Sequence, residues 1–255
     1  MKKLSLAIMA IMAFTFISNP NFAQMNTPFS GKTITIKSPD GVIITADLYI
    51  LPQAEAPLII LYHQAGFSRG EYRPIAPQLN QLGFSCISID QRSGDEVNGI
   101  INQTHAEAEK LHLATKYVDA IPDVEAAFHY AKNELKAENI IIWGSSYSAS
   151  LSFYMSSKYP DDIKGIIAFS PGEYFTIDGQ EISSFAAQVK CSVFISSAKS
   201  EEKKWRGIYE VIPSEKSYYL PTDEGFHGSR ALWSINEGHE ACWKEIEAFL
   251  KRFKN

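Results

Sequence analysis

Ser146 stands between an apolar run and a run of small residues, in Ile140-Ile141-Ile142-Trp143-Gly144-Ser145-Ser146-Tyr147-Ser148-Ala149-Ser150. The isoleucines read as a buried strand. Leu151, Phe153, Tyr154 and Met155 open a helix on the far side. A strand that breaks sharply into a helix lifts a hydroxyl above the sheet edge and turns the next amide N–H toward a developing oxyanion. The chemistry such a turn can do is nucleophilic attack by Ser146, with the Tyr147 N–H as an oxyanion donor. Ser148 stands where a second glycine usually lets helix and strand approach. A strand followed by a Ser-capped helix has the same local pattern, so a base and an acid must be sought elsewhere.

A base is offered by His227, in the glycine-bearing loop Gly225-Phe226-His227-Gly228 that follows the last strand-like run, Lys216 to Leu220. A histidine base, with a reference pKa of about 6.5, predicts activity that falls on the acid side. An acid is offered by Glu201, with Glu202 as the alternative, just after the strand-like run Cys191 to Ser196. Glutamates at this place can also serve a helix N-terminus. A second oxyanion donor is offered by His63-Gln64-Ala65-Gly66, after Leu58 to Tyr62: the Ala65 N–H, or that of Gln64. His63 itself is expected to pack beneath that loop, and His239 to cap a helix or lie on the surface. The order along the chain is Ser146, Glu201, His227.

The elements that must carry these residues follow from periodicity. Lys32 to Ile36 and Val42 to Tyr49 alternate about the turn Ser38-Pro39-Asp40-Gly41, which reads as an antiparallel hairpin. Leu58 to Tyr62, Phe84 to Asp90, the elbow run, Ile163 to Phe169 and Cys191 to Ser196 are near-continuous apolar runs of the kind buried parallel strands show. Helices are expected between them: Tyr72 to Leu82, a segment within Asp119 to Leu135, and Trp205 to Ile212, with a terminal helix over Ala241 to Phe253. The implied fold class is α/β, a mostly parallel, doubly wound sheet with an N-terminal antiparallel hairpin. Ligand sites in such sheets lie at the carboxyl ends of the strands, where all four candidate segments fall.

The chain has 255 residues, 45% apolar and 21% charged, with a formal net charge of -5. That is ordinary globular composition for one sizeable core, without the basic patch that nucleic acid would need. Met1-Lys2-Lys3, an apolar core from Leu4 to Ile17 and a polar exit to Ala23 have the layout of a secretory signal peptide. The domain assignment is therefore a signal peptide over residues 1–23, a short segment over 24–31 and a folded domain over 32–255, exported to the periplasm or beyond. Once the signal is removed, no stable membrane insertion is expected. Cys86, Cys191 and Cys242 are read as small buried hydrophobes, with a Cys191–Cys242 bridge as the alternative. No spacing of ligating residues suggests a metal.

His63-Gln64-Ala65-Gly66, Gly144-Ser145-Ser146-Tyr147-Ser148, Glu201-Glu202 and Gly225-Phe226-His227-Gly228 together resemble the α/β-hydrolase family, within it the dienelactone-hydrolase-like and serine esterase group. The resemblance runs from Lys32 to the C-terminus. It implies a triad of Ser146, His227 and Glu201, oxyanion donors at Tyr147 and Ala65, a small-molecule ester substrate and no cofactor. The elbow carries Ser148 for glycine, the acid is glutamate rather than aspartate, and dienelactone hydrolases use cysteine where this chain has Ser146. The last departure points away from dienelactone as substrate. There is no room for a large lid domain: Phe169 to Cys191 holds only a short insertion, whose Tyr174, Phe175 and Phe185 can line an acyl pocket or pack as core. Arg92, in Asp90-Gln91-Arg92-Ser93-Gly94, can meet a substrate carboxylate or an internal partner. A peptidase of the same fold and a binding protein without turnover are the rival readings.

Overall fold

The computed structural model describes residues 31–53 and 55–254. The expected signal peptide, and all of the 24–31 segment but Gly31, lie outside the described residues. The N-terminal hairpin is β1 (Lys32–Lys37) and β2 (Ile43–Tyr49), paired antiparallel. β3 (Leu58–Tyr62) and β4 (Ser85–Ile89) follow, separated by a 3-10 turn (Arg69–Tyr72) and α1 (Ala76–Gln81). The sequence predicts one helix from Tyr72 to Leu82. Pro74 and Pro77 explain the interruption: neither can donate a backbone hydrogen bond, and proline belongs in a helix's first turn. Accordingly α1 begins with a proline in its first turn.

Asp95 to Lys116 folds into a two-strand ribbon, β5 (Glu96–Val97) and β6 (Ile100–Ile101), and α2 (Gln103–Lys110). Asn102 caps α2 by accepting the His105 amide, at 2.8 Å. The chain then runs through α3 (Ile121–Asn133), β7 (Ile140–Ser145), α4 (Tyr147–Lys158), β8 (Ile163–Phe169), α5 (Ile182–Ala186), β9 (Ser192–Ser196), α6 (Glu202–Val211), β10 (Lys216–Tyr219) and α7 (His239–Leu250).

The main sheet has eight strands in the order β1-β2-β4-β3-β7-β8-β9-β10, antiparallel at β1-β2-β4 and parallel from β4 onward. Alternate side chains feed two cores, one on each face. On β7, Ile140 and Ile142 join the core beneath α3, α4 and α6, whereas Ile141 and Trp143 join the one that holds α1 and α7. Chain order reverses around β3: its sheet neighbours are β4 and β7. The crevice at such a reversal is where a doubly wound sheet accepts a ligand. The segments after β3 and β7 are those of Ala65 and Ser146.

Arg92 takes the internal of its two alternatives. It is 3% exposed, and its guanidinium is occupied internally rather than offered to a substrate. Nη2 and Nε donate to the Asp123 carboxylate at 2.7 and 3.0 Å, and Nη1 donates to Asp40 at 2.6 Å. Arg92 thereby ties the β1–β2 turn to α3. Removing one member of a buried ion pair leaves a desolvated charge, which costs about 3–5 kcal/mol. Arg92→Ala should lower unfolding free energy in urea by about that amount, without raising KM in the fraction that remains folded. A large rise in KM with unchanged stability would restore the substrate-contact role.

The cysteines are free, Cys86 and Cys242 buried and Cys191 half-buried, so the bridge weighed as an alternative is not made. No helix among the described residues is long and apolar enough to cross a membrane.

Candidate active site

Ser146 sits between β7 and α4 with φ 60 and ψ -122, a left-handed backbone for a non-glycine residue. Such a conformation is costly and persists only when its surroundings enforce it. They do: the Ser146 N–H donates to the Phe169 carbonyl at 2.7 Å, and the Ser146 carbonyl accepts from Ala149 at 3.0 Å. The close approach of α4 to the strand is borne by Gly144. A Cβ there would lie 2.4 Å from both the Ala149 amide and the Ser148 carbonyl. Ser148, where a second glycine is usual, is wholly buried and acts as a brace. Its hydroxyl accepts from the Ser145 N–H (2.9 Å) and donates to the Tyr62 carbonyl (2.8 Å), tying the elbow to the end of β3.

His227 and Glu201 meet although 26 residues apart, with Nδ1 donating to Oε1 at 2.6 Å. Glu202 lies elsewhere, its carboxylate on Arg206 at the helix surface. Of the two acid candidates, the structure brings only Glu201 to the histidine. The other Glu201 oxygen accepts from Ser170 Oγ at 2.7 Å, and Ser170 Oγ accepts from the Gly228 N–H at 2.9 Å. Burial alone would raise the Glu201 carboxyl; hydrogen bonds from His227 and Ser170 outweigh it and hold the group down at about 2. With Nδ1 donating, Nε2 is the acceptor nitrogen of the neutral ring. Gly228 has φ 72, and a Cβ there would come within 2.3 Å of Gln64 Oε1 and 2.6 Å of Ser145 Oγ. Only glycine lets the His227 loop sit so close to the elbow and to the loop after β3.

In that loop, the Gln64 N–H donates to Glu71 Oε2 at 2.8 Å. Its commitment leaves Ala65 as the candidate donor of the two considered. His63 is fully buried beneath, donating from Nδ1 to the Gln64 carbonyl at 2.7 Å and accepting the Gln91 N–H at Nε2 at 2.8 Å. Burial pushes it down to about 4, so it stays neutral and structural. Gln91 also donates to the Tyr147 hydroxyl, at 3.1 Å, bracing the residue after Ser146.

Ser170, Glu71 and Tyr117 join the site without having been among the expected residues. Ser170, just after β8, links the Glu201 and His227 loops. Glu71 is buried behind the elbow. Tyr174, by sequence a pocket or core aromatic, donates its phenol to the Ser170 carbonyl at 2.8 Å. Burial pushes that phenol up to about 12, so it remains a neutral donor. Tyr117, partly exposed, stacks on the Tyr147 ring with centroids 4.8 Å apart, and Phe175 meets Tyr117 edge-on at 6.2 Å. Phe185 instead packs against Tyr154 in the core. None of these roles has a local sequence signal. Apart from the Tyr174–Ser170 contact, each joins segments far apart in the chain.

The sheet, the elbow and the strand-end loops define the class. The chain matches the α/β-hydrolase fold family over residues 57–200, more than half its length. It belongs to that family. No curated protein matches it. Among solved structures it is similar in fold to the Pyrococcus furiosus esterase Pf2001, at TM-score 0.67 and 17% identity, over 88% of this chain and 93% of that one. It is also similar to a dienelactone hydrolase from Anabaena variabilis, at TM-score 0.69 and 12% identity, over 88% of this chain and 98% of that one. A third is Est1E from Butyrivibrio proteoclasticus, at TM-score 0.64 and 15% identity, over 88% of this chain and 99% of that one.

Proposed function

We propose that the protein is an exported serine hydrolase that cleaves a carboxylic ester of a small substrate through a Ser146–His227–Glu201 triad. The observation that carries this reading is the 2.6 Å contact between Glu201 and His227. A surface histidine needs no such partner, whereas a general base needs one to fix its tautomer and steady its cationic form. Fold relatives named as esterases support the ester class. The basic start and apolar core of residues 1–23 support export.

In this mechanism His227 Nε2 takes the Ser146 proton as Oγ attacks the ester carbonyl carbon. The N–H groups of Tyr147 and Ala65 bind the oxyanion. His227 then protonates the departing alcohol, and an acyl-enzyme remains on Ser146. Water, deprotonated by His227, attacks the acyl carbon and releases the acid. The chemistry needs no metal or cofactor. Tyr117, stacked on the buried Tyr147 ring, and Phe175 beside it offer an apolar wall for the acyl or alcohol portion.

The test is a fluorophosphonate probe followed by a panel of short p-nitrophenyl esters and aminoacyl amides. One probe adduct on Ser146, located by mass spectrometry, and ester turnover with an acyl-enzyme burst are the expected results. Preferential amide cleavage would move the assignment to a peptidase. Folded protein that takes no label would point to binding without turnover.

A further inference from the structure

Glu71 lies in the 3-10 turn after the Ala65 loop, and it is fully buried. Carboxylates seldom reach that state without a structural reason. Its two oxygens face different loops. Oε2 accepts the Gln64 N–H at 2.8 Å, which fixes the loop that presents Ala65. Oε1 accepts the Ser145 hydroxyl at 2.7 Å, immediately before Ser146. Ser145 Oγ accepts in turn from the Ser229 N–H at 2.9 Å, two residues after His227. The Glu71 carbonyl also accepts the Trp233 indole N–H at 3.0 Å, and Trp143 Nε1 donates to Ser229 Oγ at 2.9 Å. One side chain therefore joins the oxyanion loop, the elbow and the base loop.

The donors explain why a carboxylate is used. Two of them converge on opposite oxygens, and an ionised carboxylate is the side chain that accepts at both and donates at neither. Apolar side chains of similar size would avoid the cost of burying this group, but they could not satisfy those donors. The cost is visible: burial pushes the Glu71 carboxyl up to about 7, against the opposing pull of Gln64, Ser145 and His227. A buried acceptor kept at such a cost beside the elbow is a means of fixing geometry.

We propose that Glu71 is a positioning residue for hydrolysis, its carboxylate holding the oxyanion loop, the Ser146 elbow and the His227 loop in one register. The inference rests on the serine-hydrolase reading above. Glu71 acts through Gln64 and Ser145 rather than by touching the reacting atoms. A displacement of about 1 Å between nucleophile, base and oxyanion donors costs on the order of 10²-fold in rate.

Glu71→Gln keeps the shape but can accept from one donor only, its amide N–H₂ meeting the other. The expected result, with a short p-nitrophenyl ester, is a kcat lower by on the order of 10²-fold with KM little changed. Fluorophosphonate should still label Ser146, more slowly. A merely structural role would instead lower the active fraction and leave the kcat of that fraction alone, with active sites counted by the label. Wild type that turns over ester beside a folded Glu71→Gln within about twofold in kcat overturns the positioning role alone. Wild type that neither labels nor turns over overturns the hydrolase reading and this proposal with it. Where Glu71→Gln does not fold by circular dichroism, Ser145→Ala carries the test. It cuts the path from Glu71 to Ser229 and leaves the Gln64 contact in place. A similar fall in kcat is expected there, and an unchanged kcat overturns the proposal.

Discussion

Ser146→Ala is expected to lower ester turnover by on the order of 10⁴-fold or more and to abolish fluorophosphonate labelling, while the far-UV spectrum and melting temperature stay near wild type. The size of the loss follows from covalent catalysis: without Oγ no acyl-enzyme forms, and His227 and Glu201 have no nucleophile to activate. What remains is binding and oxyanion stabilisation by the Tyr147 and Ala65 amides. The structural cost should be small. The elbow is held by the Ser146 N–H to Phe169 and by the Ser146 carbonyl to α4, both main-chain contacts that alanine keeps. Alanine tolerates the left-handed φ no better than serine does, so the strain stored at the turn is unchanged. Ester kinetics, labelling and a thermal melt on the same preparation check all three parts. Turnover within tenfold of wild type would move the nucleophile to another residue. The first to test would be Ser145, whose hydroxyl is committed to Glu71 at 2.7 Å.

The central parallel strands were legible because each is a short, largely apolar run bounded by turn residues, and the N-terminal hairpin because it alternates about Ser38-Pro39-Asp40-Gly41; β5 and β6, two residues each, carry no such signal. Leu58 to Tyr62 carries that signal over its whole length and Ile163 to Phe169 over all but Gly165 and the exposed Lys164, and both are found with those bounds. Strand ends then located the site, since a parallel sheet concentrates its functional loops at one edge. The residues left unresolved share a physical cause. Glu201 and Glu202 are adjacent where a 3-10 turn becomes α6. Successive side chains there point about 100° apart, and only the tertiary position of the His227 loop selects between them. Ser170 and Glu71 are ordinary residue types whose partners lie on other segments of the chain. Arg92 is the converse case. After a strand end it is open to a ligand or to an internal partner, and the β1–β2 turn and α3 supply the internal one. Ser148 is instructive for motif reading. The expected glycine serves close packing, and here Gly144 bears that approach while the Ser148 hydroxyl cross-links two strand ends.

Glu201→Gln should lower kcat by on the order of 10⁴-fold with little change in KM, whereas Glu202→Gln should leave both near wild type. The reason is the hydrogen-bond polarity of the acid's surroundings. Glu201 accepts twice, from His227 Nδ1 and from Ser170 Oγ. A glutamine that keeps the Ser170 bond with its carbonyl presents N–H₂ to the imidazole. The ring must then accept at Nδ1 and carry its proton on Nε2, the nitrogen that has to act as base. Reversing the amide would turn its N–H₂ on Ser170 Oγ, which already accepts from the Gly228 N–H. Ser170 thus biases the variant toward the inactive tautomer. The same contacts give a pH signature in stability. The Glu201 carboxyl is held at about 2 in the fold against an ordinary 4.5, so it is the ionised form that the fold favours. That contribution is fully present above about pH 4.5 and is lost as pH falls toward about 2, where the folded carboxyl protonates. Wild type should therefore lose stability across that window more steeply than Glu201→Gln, read from urea melts at matched pH. Equal slopes for the two proteins, or a kcat for Glu201→Gln within about tenfold of wild type, would remove Glu201 from the triad.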